Sequence, residues 1–133
     1  MAFRVSQIEV PTWARRPRVQ LEGVSESELA AIQRHRAPLV AAVQSAVEKW
    51  LNDVGENALF PDRAKLTGNF YLGDELYQRG DEGNIRISIF CCCLERPKPV
   101  TDREDDYLGL EVWLNYVDGS ATFEVSDIDS SSI

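Results

Sequence analysis

The sequence is poor in the residues that carry most catalytic and metal chemistry. It has one histidine, His35, one methionine and three cysteines, and the cysteines stand side by side at Cys91, Cys92 and Cys93. A zinc site needs three or four convergent Cys or His ligands, and the single histidine lies far along the chain from the cysteines. Adjacent cysteines make strained disulfides, so they build no secreted-type framework and agree with a reducing compartment. No apolar run approaches the roughly 20 residues of a membrane span, and MAFRVSQIEV lacks the apolar stretch of a signal peptide. A cytoplasmic location without membrane contact is therefore expected. There is also no glycine-rich phosphate loop, no G-x-S-x-G elbow and no H-E-x-x-H. These absences lean against an enzyme, and no catalytic residue, cofactor or metal is assigned.

Positive charge is scarce in one part of the chain. Residues 1–50 hold seven basic and five acidic side chains, whereas residues 51–133 hold seven and seventeen, so a net charge of −8 divides into +2 and −10. Such an acidic half repels phosphate backbones, which disfavours direct nucleic-acid binding, and it speeds encounter with basic partners. The plainer reading is that acidic surfaces keep proteins soluble.

At 133 residues the chain has the size of one domain with a core of its own. Residues 1–20 read as an N-terminal arm or short strand, with PTWARRP made irregular by its two prolines. A helical region spans 25–54. Ser25-Glu26-Ser27-Glu28 has capping-box spacing and starts a first helix that runs to about Arg36. Pro38 kinks that helix or opens a second. Leu39, Val43, Val47, Trp50 and Val54 then form one apolar stripe, with Gly55 as terminator.

From 66 to 128 the apolar period switches to two, as in a sheet, and 129–133 reads as a flexible tail. Ile85, Ile87, Ile89, Cys91 and Cys93 alternate with Arg86, Ser88, Phe90 and Cys92. Leu108, Leu110, Val112, Leu114 and Tyr116 alternate with Gly109, Glu111, Trp113 and Asn115. A two-residue turn at Asp118-Gly119 would pair Tyr116 with Ala121, Leu114 with Phe123 and Val112 with Val125. The expected fold class is α+β: two N-terminal helices, or one kinked helix, packed on one face of an antiparallel sheet of about four to five strands.

On that reading Cys91 and Cys93 are core residues and Cys92 points to the opposite face. A buried strand thiol has its pKa raised rather than lowered, so the cysteines read as packing. His35, between Arg34 and Arg36, reads as a solvated helix-end residue. Two places suit partner binding. One is the acidic loop with Asp102, Glu104, Asp105 and Asp106, stiffened at its start by Pro97 and Pro99. The other is the outer sheet face with Glu111, Trp113, Glu124 and Tyr71, unless the N-terminal arm covers it.

The expected function is a small acidic cytoplasmic binding protein, an immunity or inhibitor protein that neutralises a basic protein partner such as a toxin. Two alternatives stand beside it. One is a small enzyme or ligand-binding domain with a pocket between helices and sheet, and the other is a nucleic-acid-mimicking anti-defence protein. The oligomeric state is left open.

Overall fold

The computed structural model describes residues 5–12, 14–54, 69–81, 83–94, 107–116 and 122–131. Eight elements follow in the order β1 (Ser6–Gln7), β2 (Val19–Glu22), α1 (Glu26–Gln33), α2 (Arg36–Val54), β3 (Asn69–Arg79), β4 (Ile85–Leu94), β5 (Tyr107–Tyr116) and β6 (Phe123–Ser131).

The first helix starts where the capping box places it. Ser25 Oγ accepts from the Glu28 amide at 3.2 Å, and Glu28 Oε1 accepts from the Ser25 amide at 3.0 Å. The Glu28 carboxylate also pairs with Arg79 of β3. The Ser25 amide, and after it Arg79, hold the Glu28 carboxyl down at about 2. Gly23 closes the turn ahead of the cap with φ +70°, and a Cβ there would come within 3.0 Å of the Arg79 Cβ. The chain then breaks between two helices rather than kinking one. Pro38 lies in the first turn of α2, where its missing N–H costs no helical hydrogen bond. Leu39, Val43, Val47 and Leu51 form the buried stripe of α2, and Trp50, expected on it, lies half-buried to one side.

The sheet overturns part of the expected architecture. It is not a purely antiparallel sheet of four to five strands beneath packed helices. It is a six-stranded mixed sheet that curls into a half-barrel, and strand outweighs helix among the described residues. Its path is β1-β3-β4-β5-β6, with β2 also paired to β3. The region expected as one arm or strand supplies two strands, and both run parallel to β3. Parallel pairing needs a long crossover, and α1 and α2 lie on the one between β2 and β3. β6 extends to Ser131, past the point at which residues 129–133 were expected to become a tail.

Two bulges adjust which side chains face inward. In β3, Leu72 lies opposite Cys91 but Glu75 opposite Ile89, so one extra residue enters at Gly73-Asp74. Phe70 and Leu72 before the bulge, and Glu75 and Tyr77 after it, thus share the inner face. In β6, Leu114 pairs with Val125 but Trp113 with Asp127, which leaves Ser126 as the extra residue. Its hydroxyl donates to the Trp113 carbonyl at 3.2 Å. Bulges also strengthen local twist, which suits a curled sheet.

The β5–β6 register differs from the expected one by two residues up to the bulge and by three beyond it. Tyr116 lies opposite Phe123, with ring centroids 5.3 Å apart, and Val112 lies opposite Ile128. A shift of two preserves the faces, so Leu114, Tyr116 and Phe123 still point inward. The expected turn at Asp118-Gly119 lies outside the described residues. One core cluster joins the α2 stripe to Ile87, Ile89, Cys91, Cys93, Leu110 and Leu114 of the central strands.

The capping box yields a direct test. Ser25→Ala should destabilise the protein by about 1 kcal/mol in urea unfolding, with the m-value unchanged. A change below a few tenths would show that the Glu28–Arg79 pair holds this end without the cap.

Candidate functional site

Three places hold polar or reactive groups in defined geometry: the cysteine strand, a polar cluster on the inner face of β3, and the outer face of β4–β6 with its edge. The three cysteines are free and buried. Cys91 and Cys93 lie in the main core. Cys92 packs on the opposite face with Tyr71, beneath Ile8 and Ala14 of the N-terminal segment. Burial pushes the Cys92 thiol up to about 11 and Cys93 to about 12, and raises Cys91 as well. A thiol that resists ionisation is a weak nucleophile and a weak metal ligand. Among the described residues, no three His, Cys, Asp or Glu side chains gather in a way that could hold a metal ion. His35 lies half-buried at the α1–α2 junction, where its carbonyl accepts from the Leu39 amide at 3.1 Å.

The polar cluster was not anticipated. The β3 bulge turns Glu75 inward, where it is 8% exposed. Arg36, the first residue of α2, clamps it with two hydrogen bonds of 2.7 Å. The Tyr77 hydroxyl donates to the same carboxylate at 2.6 Å and accepts from Gln33 Nε2 at 2.8 Å. Burial, then the neighbouring Glu75, push the Tyr77 phenol well above its usual range. Each side chain in this set is hydrogen-bonded to another member, and Tyr77 is fully buried. The arrangement locks the helix junction to the sheet. A carboxylate next to a neutral tyrosine and an arginine could in principle move protons, but here the guanidinium and phenol already occupy it.

The outer face carries the residues singled out from sequence, with different fates. Glu111, Trp113 and Glu124 share this face, since Val112, Leu114 and Phe123 fill the inner one. Trp113 is half-buried and held within the sheet. Its Nε1 donates to Glu111 at 3.0 Å, and the Arg86 guanidinium lies 4.9 Å over its ring. Glu111 also accepts from Ser88 Oγ at 3.0 Å. Glu111 and Trp113 are therefore already engaged with each other, and Trp113 is not an open anchor. Tyr71 is buried at 3% under the N-terminal segment, so it leaves the candidate surface. Asp102, Glu104, Asp105 and Asp106 lie outside the described residues.

What the sequence reading missed is the row beside Glu124. The β6 bulge turns Asp127 and Asp129 to the outer side, opposite Trp113 and Glu111. Glu124, Asp127 and Asp129 are all exposed. Among the described residues, no cation lies within ion-pair reach of any of the three. The signal for them was the three-residue step from Val125 to Ile128, which a period of two cannot keep on one face. Behind β6, a groove of about 640 Å³ opens between the strand and α2. Val125 and Ile128 line one wall with Ser126 and Asp127, and Ala42, Ala46 and Trp50 line the other with Ser45, Lys49 and Asp53. Comparison with protein-family models, with curated proteins and with solved structures finds no match to this chain.

Two measurements probe the buried groups. Glu75→Ala leaves the Arg36 guanidinium and the Tyr77 hydroxyl without their acceptor. It should cost about 2–3 kcal/mol in urea unfolding, and Glu75→Gln should cost less; equal, small losses would show that the cluster contributes little. Alkaline pH should act on the thiols. Unfolded thiols ionise near the ordinary value of 9.0, whereas folded Cys93 keeps its proton to about 12. Between these values the unfolded chain binds fewer protons, so stability falls as pH rises. The melting temperature should therefore drop from about pH 9 upward, and Cys91→Ala with Cys93→Ala should flatten that drop.

Proposed function

We propose that this protein is a small acidic binding module that neutralises a basic protein partner in the cytoplasm, in the manner of an immunity or inhibitor protein. One observation supports it most: Glu124, Asp127 and Asp129 line the outer side of the last strand with no cation on them among the described residues. Carboxylates collected on one surface raise the local concentration of a basic partner and speed its docking. The charge balance of residues 51–133 extends the same field well beyond these three positions. The role of Trp113 changes in this reading. Clamped by Glu111 and Arg86, it stiffens the platform behind the carboxylates instead of entering a pocket on the partner.

A second reading draws on the groove between α2 and β6. Its size falls in the range of small-ligand pockets, and its walls combine apolar side chains with Lys49, Asp53 and Asp127. A ligand-binding domain would use that groove and leave the acidic row aside.

The two readings separate in kinetics. A partner captured from the protein's own cell extract should carry a basic surface, and its association should slow steeply with added salt. The triple variant Glu124→Lys, Asp127→Lys and Asp129→Lys should lower the association rate at least tenfold and flatten the salt dependence. Its melting temperature should stay close to that of the parent chain. An association rate that ignores salt and these substitutions would overturn the proposal and favour the ligand-binding reading.

A further inference from the structure

The acidic row and the groove meet at one strand, with Asp127 bordering both, and among the described residues that strand ends the sheet. Among the described residues nothing pairs with β6 on the side away from β5, so its backbone amides and carbonyls there lack a ladder. An open edge is a template for another strand. We propose that this edge receives one extended segment of the basic partner, which adds to the half-barrel as a seventh strand. The proposal rests on the basic-partner reading above and names how the partner docks.

Strand geometry sets the chemistry of the occupant. Side chains of an added strand alternate between the two faces and stand about 4.8 Å from β6. Those on the inner side would enter the groove, against Ala46 and Trp50 of α2 and Val125 of β6, beside the charged Lys49 and Asp53. Val125 is 41% exposed there, a large apolar side chain left open at the mouth of the groove. The small side chains of Ala42 and Ala46 keep that wall low, which leaves space for branched residues. Those on the outer side would lie beside Glu124, Asp127 and Asp129. The fitting segment thus alternates apolar residues with lysine or arginine, because opposite charges across neighbouring strands stabilise the pair.

The same row argues against a second copy of this chain. Pairing β6 with β6 would bring two acidic rows side by side, which like-charge repulsion disfavours. It also argues against an anionic lipid surface.

The test uses the full chain, isotope-labelled, with three synthetic octapeptides. One alternates Lys and Val, one Glu and Val, and one Lys and Ser. The Lys–Val peptide should slow amide exchange across Phe123–Asp129 at least tenfold. The Glu–Val peptide should have no effect, and the Lys–Ser peptide should bind at least tenfold more weakly, since it leaves the groove unfilled. Asp127→Lys with Asp129→Lys should abolish the response to Lys–Val and create one to Glu–Val. That reversal of preference is a gain that a misfolded variant cannot produce. Protection that appears on Glu111 and Arg86 but not along β6 would overturn edge docking while leaving the basic-partner reading in place. No response to either basic peptide at low salt would overturn both. A chain that is dimeric without peptide, with β6 amides already protected, would assign the edge to a second copy and overturn the proposal.

Discussion

The extra residue at Gly73-Asp74 organises most of what surrounds it. Without it, Glu75 would follow the alternation of Phe70 and Leu72 to the outer face and Leu76 would turn inward. With it, Glu75 and Tyr77 point into the core and meet Arg36 at the start of α2. An ionised carboxylate at that depth is tolerable only when it is paired and fully hydrogen-bonded, and the two-pronged arginine and the phenol supply this. The bulge also exposes Asp74, whose carboxylate accepts from the Arg18 amide and from Arg15 at 2.8 Å each. One local irregularity thus fastens the helix junction to one face of β3 and the N-terminal segment to its edge. Because β2 follows directly after Arg18, the same contact sets where the parallel strand begins, with the Arg18 carbonyl accepting from the Glu75 amide at 2.9 Å.

Much of the framework is legible in the residues, for identifiable reasons. The capping box at Ser25–Glu28 and the stripe Leu39, Val43, Val47 are local patterns, and local patterns survive tertiary context. The isoleucine and cysteine alternation of β4 sorts three cysteines between two faces because period two leaves no other choice. What local pattern cannot supply is pairing between distant segments. The segment around Ser6-Gln7 reads only as an arm or a short strand, and Val19–Glu22 has no alternation that announces one; both pair along the edge that β3 offers. The bulges are a middle case. The steps Leu72 to Tyr77 and Val125 to Ile128 are odd in number, and an odd step between inward residues requires an extra residue. The assumed two-residue turn shifted the hairpin by two, and treating alternation as unbroken past Val125 hid Asp127 and Asp129. Trp113 shows a different limit, since beside its hydrogen bond to Glu111 it is covered by Arg86 on the neighbouring strand, which its own stretch of sequence does not reveal.

The acidic edge gains its meaning from where the sheet stops. Central strands bury their backbone in ladders on both sides, and β4 with β5 does so along ten residue pairs. Among the described residues β6 has only one such neighbour. Its charged residues would be unremarkable on a central strand's outer face, but at the edge they flank unpaired backbone. A groove lies on the inner side because α2 turns Ala42, Ser45 and Ala46, with Lys49, Trp50 and Asp53 further along, toward β6 rather than its buried stripe. The helix therefore contributes to the core through Leu39, Val43, Val47 and Leu51 and to the groove through a second stripe about 100° away.

Edge strands are commonly guarded by charges and bulges, so the carboxylates of β6 have an ordinary structural use. Guarding and recognition do not exclude one another here, because both depend on the sign of the charge. A row of carboxylates rejects another acidic strand, including its own copy, and by the same Coulomb term favours a basic one. Discrimination is a difference between two interaction energies, and repulsion of the wrong strand enlarges it as much as attraction of the right one. An edge guarded by mixed charges would stay closed to both classes. One guarded by a single sign is closed to one and open to the other, and the charged outer positions of β6 are all carboxylates among the described residues.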